Sequence, residues 1–371
     1  MWRRWEGRQP TGIDRVCLAY LAHFRSQAQA VVQYRRNRRI FDRESSAALF
    51  QMLAEPPADF RRALIRAGLR QIAKRSCDGT NRFYLNVGHS GLNGQGFRRW
   101  LGGARVRPIF FVHDLIPIIH PEFCRPGEQA KHQDRMRTVV GTGVGVIGNS
   151  QATVDDLLSF AHNQQLPCPP AIAAPLGCDA WPRSRREVDD GSRPTFVILG
   201  TIEARKNHLL LLHVWTRLVQ RLGPSAPRLL VIGQRGWECE QVFDLLDRSE
   251  LLKTAVTELG RCDDQQLAEH LANARALLFP SLVEGYGLPL VEALGSGTPV
   301  IASDLPVFRE IAGDVPDYLD PLDGPAWERA ILSFSENGSA ARGAQMRRLA
   351  QHRPPTWEDH FEAVDSWLAT L

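Results

Sequence analysis

A chain of 371 residues, 43% of them apolar, exceeds what one hydrophobic core usually supports and can bury two, so two α/β domains are expected. Seven cysteines stand at positions 17, 77, 124, 168, 178, 239 and 262 with no CxxC pair and no Cys/His cluster at ligand spacing, which suits a reducing cytoplasm and argues against structural zinc. The net charge of +4 hides an asymmetry: residues 1–100 hold 19 Lys+Arg against 7 Asp+Glu, a balance of +12, leaving −8 for the other 271.

Met1-Trp2-Arg3-Arg4-Trp5 is cationic, but no apolar h-region follows it, and no stretch approaches the roughly 18 uninterrupted apolar residues of a membrane span. Neither export nor a spanning helix is expected. Pro10-Thr11-Gly12-Ile13-Asp14-Arg15 precedes an apolar helix, so Gly12 can bring backbone close to a ligand at a helix N-terminus. Helices are predicted near 12–25, 42–54, 60–75 and 127–139, and strands over 82–87, 108–112 and 144–147.

In the third of these helices Arg62, Arg66, Arg70 and Lys74 recur every fourth residue, opposite an apolar stripe of Phe60, Leu64, Ile65, Gly68, Leu69 and Ile72. Such a basic amphipathic helix fits an anionic bilayer surface and equally fits the solvated face of a packed helix. Nucleic acid is not expected as a partner, because no aromatic-rich RNA-binding signature or zinc-finger spacing is present. Val112-His113-Asp114 places His113 at the end of the most apolar strand, a position where a histidine commonly serves structure. Gly143-Val144-Gly145-Val146-Ile147-Gly148 spells GxGxxG but follows a charged helix, so it reads as a strand with small residues and not as a dinucleotide loop.

Residues 183–194 are polar and aperiodic and predict a linker between a first domain, 1–182, and a second, 195–350. The second half repeats one unit: a short aliphatic strand, a glycine or polar turn, and a helix. The strands are Thr195–Leu199, Arg228–Ile232, Val256–Leu259, Ala276–Phe279 and Pro299–Ala302; Asp264 is the expected N-cap of one intervening helix. That alternation predicts right-handed βαβ units and a buried parallel sheet, a Rossmann-like domain. The terminal stretch 355–371 carries Trp357, Phe361, Val364, Trp367 and Leu368, a stripe expected to bury itself on the first domain.

Two loops concentrate chemistry. In Glu284-Gly285-Tyr286-Gly287-Leu288-Pro289-Leu290-Val291-Glu292 a carboxylate follows a strand, glycines free the backbone, proline suits the first helical turn, and a second carboxylate lies inside the helix. Main-chain N–H groups there can face an anion or a sugar hydroxyl. Gly200-Thr201-Ile202-Glu203-Ala204-Arg205-Lys206-Asn207 sets two cations at the carboxyl edge of the sheet, where they can neutralise a diphosphate. The plain structural alternatives are a tight packing turn for the first loop and a solvated basic turn for the second.

Together these residues resemble family 4 glycosyltransferases of GT-B fold: Glu284 and Glu292 form the EX7E signature, the Gly200 to Asn207 loop matches, and Ser150-Gln151-Ala152-Thr153 is similar to the Ser-x-x-Thr helix start of that family. The resemblance covers Thr11 to about Ala312. It implies two Rossmann-like domains facing across a cleft, a nucleoside-diphosphate sugar held by the second, and an acceptor held largely by the first. It further implies that Arg205 and Lys206 bind the diphosphate, that Glu292 binds the ribose, and that Glu284 with Gly285, Tyr286, Gly287 and Leu288 binds the transferred sugar. His113 would line the reaction centre beside Glu284, Gly12 would approach the donor from the first domain, and Gly233 and Gly260 would flank the base.

Retention of configuration without a metal or a separate cofactor is also implied. The donor is a GDP- or UDP-sugar, with mannose slightly favoured, and the acceptor a saccharide, free or on a polyprenyl diphosphate at the inner face of the membrane. One departure stands out: the family begins with an aliphatic strand before the Gly12 loop, whereas Trp2 to Arg8 is not a strand, so an upstream strand is expected or the first domain is built without one. Rival readings are a GT-B epimerase or hydrolase of sugar nucleotides and an inactive sugar-nucleotide-binding scaffold.

Overall fold

The computed structural model describes residues 11–34, 37–72, 74–89, 91–93, 95–178, 193–260 and 262–371. The expected linker over 183–194, apart from 193 and 194, and the unstructured reading of Trp2 to Arg8 lie outside the described residues. The chain forms two compact units. The first comprises residues 1–115, 130–174 and 361–371, and the second residues 116–129 and 175–360. Among the described residues no helix is long and apolar enough to cross a membrane.

In the first unit, helix α1 (Gly12–Phe24) is followed by an antiparallel hairpin of β1 (Val31–Tyr34) and β2 (Asn37–Ile40), then by α2 (Arg43–Ala54) and α3 (Phe60–Ile72). The parallel sheet holds β3 (Phe83–Asn86), β4 (Arg107–Val112), β5 (Gly145–Gly148) and β6 (Ala171–Ala173), in that spatial order. Helices α4 (Glu128–Thr142) and α5 (Gln151–Asn163) flank β5 in sequence. Ser150 caps α5 by accepting from the Thr153 N–H at 3.1 Å, as the Ser-x-x-Thr pattern predicts. Strand β4 is buried along Pro108 to Val112, the continuous apolar run that a strand covered on both faces requires.

Of the GxGxxG stretch, Gly145–Gly148 is strand, and Gly143 and Val144 join it to the end of α4. Gly145 stays small for a packing reason: a Cβ there would come within 2.6 Å of the Trp367 ring and 3.0 Å of Ile109. That ring belongs to the terminal helix, Trp357–Leu368, whose residues from Phe361 onward are part of the first unit. Val364 is fully buried, Phe361 stacks on His23 at 4.0 Å and meets Tyr20 edge-on at 5.1 Å, and His23 Nε2 lies 2.8 Å from Asp365. The tryptophan-rich stripe thus finds the apolar surface it needs.

The stripe predicted on α3 is only half satisfied. Phe60 is buried and Leu64 packs on the Phe41, Leu49 and Phe50 cluster, but Ile65 and Leu69 remain 49% and 60% exposed. On the basic side Arg66 pairs with Asp59 at 2.6 Å, whereas Lys74 lies beyond the end of α3 at Ile72 and pairs with Asp42 at 2.7 Å.

The second unit is a six-stranded parallel sheet in the order β12-β11-β10-β7-β8-β9. The strands are β7 (Thr195–Leu199), β8 (Arg228–Ile232), β9 (Val256–Leu259), β10 (Leu277–Phe279), β11 (Val300–Ser303) and β12 (Asp317–Leu319). From β7 the chain moves outward through β8 and β9, then returns to β10 and moves the other way, so the order reverses between β7 and β10. Helices α6 (His208–Leu222), α7 (Asp264–Ala272) and α8 (Leu288–Ser296) serve as crossovers. The N-cap of α7 is Asp263, whose carboxylate accepts from Gln266, and not the neighbouring Asp264; only Asp263 has the extended φ of −75° and ψ of 172° that precedes a helix. The core runs from Phe196 and Ile198 on β7 through Leu211, Trp215 and Leu218 on α6 to Trp327 and Phe334, with the Trp215 N–H bonded to the Pro227 carbonyl at 2.9 Å.

Candidate active site

Ligands of open α/β sheets bind outside the carboxyl ends of the strands where strand order reverses. In the second unit those ends are the loops after β7 and β10, the two loops the sequence singles out. The loops are laced together: the Leu282 N–H donates to the Arg205 carbonyl at 2.8 Å, and Asn207, in left-handed conformation at φ 57°, donates through Nδ2 to the carbonyls of Pro280 and Pro321. Asparagine suits this junction because it tolerates that conformation and satisfies two carbonyls that the turn leaves over.

At the centre is Glu284. Arg205 donates to one of its oxygens at 2.6 Å, Lys206 Nζ to the other at 2.5 Å, and the Ser281 hydroxyl adds a bond of 2.7 Å. Glu203 takes a second guanidinium nitrogen of Arg205 at 2.6 Å. The Glu203 and Glu284 side chains are only 6% and 5% exposed. Burial pushes the Glu284 carboxyl up, but Arg205 and Lys206 outweigh it and hold the group at about 2. Burial pulls Lys206 down from the usual lysine range against the attraction of Glu284. Behind it His208, driven to about 3 by burial and by Lys206, stays neutral.

The two cations therefore do not wait as a bare pair: each is held by a buried carboxylate, which fixes its direction before any ligand arrives. Glu203 and Ser281 hold this cluster through Arg205 and Glu284, contacts that the motifs alone do not reveal. Both lie within three residues of a singled-out group, which is the signal that was available.

Gly287 is the N-cap of α8, with φ 112° and no side-chain hydrogen bond capping the first turn. A Cβ at Gly287 would come within 2.8 Å of the Phe308 ring. Tyr286 is buried, and its hydroxyl donates to the Leu176 carbonyl at 2.8 Å, tying the loop from behind. Glu292 lies buried within α8, one turn beyond Leu288 and the uncapped end.

Gly233, at the end of β8, meets the β7 loop so closely that a Cβ would lie 1.8 Å from the Gly200 carbonyl oxygen. Gly233→Ala should thus cost the second unit about 3 kcal/mol by overpacking against backbone that cannot yield; a urea midpoint unchanged from the parent's would refute this. Gly260 follows β9, two strands from β7, where nothing crowds it. Arg235 ties these outer ends by bonding both Asp247 and Glu258.

The remaining candidates belong to the first unit. Gly12 is the first residue of α1, beside a cap in which the Asp14 carboxylate takes both the N–H and the hydroxyl of Thr11, at 2.7 and 2.6 Å. His113 directly follows β4 and is 6% exposed, with Nε2 2.7 Å from the Val87 carbonyl. Its own carbonyl accepts from Asn149 Nδ2 at 2.8 Å, and Asn149 is held in turn by Thr153. Among the described residues no group of three or more His, Cys, Asp or Glu is placed to hold a metal ion.

Two α/β units, the second with a cation–carboxylate cluster at its sheet switch point, define a class of protein. Among solved structures, Anabaena Alr3699/HepE in complex with UDP and glucose shares the fold at a TM-score of 0.68 and 17% identity, over 98% of this chain and 97% of that one; the class is GT-B. Residues 181–342 match the family Glycosyl transferases group 1. The serotype-specific mannosyltransferase WbdA of Escherichia coli is 31% identical over 274 residues, 68% of this chain and 32% of WbdA. The O-antigen chain mannosyltransferase B of Escherichia coli is 34% identical over 161 residues, 43% of this chain and 42% of that protein. Through residues 181–342 and these relatives the chain is similar to family 4 of the glycosyltransferases. It spans about a third of the length of WbdA.

Proposed function

We propose that the chain transfers a hexose, mannose by preference, from a nucleoside-diphosphate sugar to a saccharide acceptor with retention of configuration and without a metal. The observation that carries this reading is the Arg205-Lys206-Glu284 cluster at the β7–β10 switch point, beside the uncapped start of α8. On departure of the sugar, the bond from its anomeric carbon to the diphosphate oxygen breaks. Lys206, Arg205 and the α8 N–H groups stabilise the charge that develops on the diphosphate. The acceptor hydroxyl then bonds the anomeric carbon from the same face, and its proton passes to the departing diphosphate oxygen. Mannose is supported by the names of WbdA and mannosyltransferase B.

A lipid-linked acceptor at a membrane surface is supported by α3, where Ile65 and Leu69 stand exposed on a helix that also carries Arg62, Arg66 and Arg70. The test is binding followed by turnover. GDP-mannose or GDP at 100 times its Kd should stabilise the full chain by roughly 2.7 kcal/mol, and labelled mannose should appear on a mannan acceptor at the same rate with and without EDTA. Loss of transfer on chelation, restored by Mg²⁺, overturns the metal-free reading. Interconversion of donor alone overturns the transferase reading in favour of an epimerase.

A further inference from the structure

His113 does not stand alone. The loop after β3 brings a second histidine, His89, to the same strand end, with its backbone in the left-handed region at φ 54°. A residue with a Cβ disfavours that conformation, so the surroundings must hold it there. The His89 ring meets that of His113 edge-on at 5.0 Å and that of His132 at 5.9 Å.

Its hydrogen bonds are specific. The backbone N–H of His113 donates to His89 Nε2 at 3.4 Å. The backbone of Phe111 bonds the ring in the sense that favours its proton, as an accepting carbonyl does. The carbonyl of residue 111 and the N–H of residue 113 lie on one side of an extended strand, so His89 fills the place of a peptide group. It carries the β3–β4 ladder one rung past its last backbone pair, Asn86 and Phe110. An imidazole can do this only when neutral, with one nitrogen donating and the other accepting.

The contact is reciprocal. His113 turns its own Nε2 onto the Val87 carbonyl, two residues before His89. A carbonyl only accepts, so Nε2 carries the proton and, in the neutral ring, Nδ1 carries the lone pair. Asn149 holds the His113 carbonyl. His113 is thereby fixed at its N–H, its carbonyl and one ring nitrogen. Burial, then the neighbouring His113 and His132, keep His89 well below the usual histidine range; burial likewise lowers His113.

We propose that His89 is a positioning residue that clasps His113, so that His113 meets the substrates as a neutral hydrogen-bond acceptor through Nδ1. The inference rests on the transferase reading for its consequence, while the clasp itself can be tested without turnover. The full chain, labelled with ¹⁵N-histidine, should show His113, assigned by its loss in His113→Gln, as a single tautomer protonated at Nε2.

His89→Ala releases the loop that presents the Val87 carbonyl to His113, so it should mix the two His113 tautomers and lower kcat for mannosyl transfer by about a hundredfold, the scale of misplacing a reacting group, with the donor KM little changed. His89→Asn tolerates the left-handed backbone and offers both a donor and an acceptor, so it should restore much of both. Unchanged His113 signals in His89→Ala overturn the clasp. So does a His89→Ala variant whose Tm falls while its kcat, measured well below that Tm, stays at the parental value. If the parent transfers no sugar, the transferase reading fails by itself and the ¹⁵N spectra still decide the clasp.

Discussion

Lys206→Ala in the full chain is expected to lower sugar transfer by about a thousandfold at saturating donor, the upper range for deleting one preorganised group that stabilises developing charge. Lys206 is the only group that donates to the Oε1 side of Glu284 besides the Ser281 hydroxyl, among the described residues. Its removal also leaves a buried carboxylate with Arg205 as its one cation, which should cost the second unit about 3 kcal/mol.

The pH dependence separates the two effects. Glu284 is held at about 2 in the fold against an ordinary value of 4.5, so its ion pairing contributes stability above pH 4.5 that is lost as the pH falls toward 2. In Lys206→Ala that depression shrinks, and acid unfolding of the second unit, followed by circular dichroism, should begin at a higher pH than in the parent. Transfer within threefold of the parent, or an unshifted acid transition, would refute the assigned role.

Ending the chain after His360 is expected to unfold the first unit while leaving the second near its parental transition. Phe361 packs on Tyr20 of α1, Val364 is fully buried, and Arg107 bonds the Leu371 carbonyl. Losing two buried apolar side chains of this kind costs on the order of 5 kcal/mol, comparable with the whole stability of a domain. Calorimetry should show the transition of the first unit lost or moved far down in temperature, and one unaltered two-unit profile would contradict this.

Much of this molecule can be read from its residues because its strands are buried on both faces. Runs such as Pro108 to Val112 and Phe196 to Leu199 are apolar throughout, and Gly200 follows the second where the chain turns. The cluster at Glu284 is legible for the same reason: its residues sit directly after such strands.

What escapes is set by tertiary pairing. The β1–β2 hairpin carries Arg38 and Arg39 where an apolar alternation would have revealed a strand, and β6 spans three residues among prolines. Glu203 and Ser281 gain their meaning only when the β7 and β10 loops meet. His89 shows neither a motif nor a period; its role comes from the end of β4 lying alongside. The exposure of Ile65 and Leu69 likewise reflects how α3 is seated and not its own pattern, which is that of a packed helix.

The division of the first unit between the two ends of the chain has a consequence for its synthesis. Domains generally fold as they emerge, N-terminal first, at about 5 to 20 residues per second. Here residues 175–360 must all be translated between Ala174 and the arrival of Phe361, an interval of about 10 to 40 s at that pace. Throughout it, the surface around Tyr20 and His23 that receives Phe361 lacks its cover. The first unit is thus completed only after the second has been made, and ribosome-bound chains should engage apolar-binding chaperones through that surface until residues 361–371 are made.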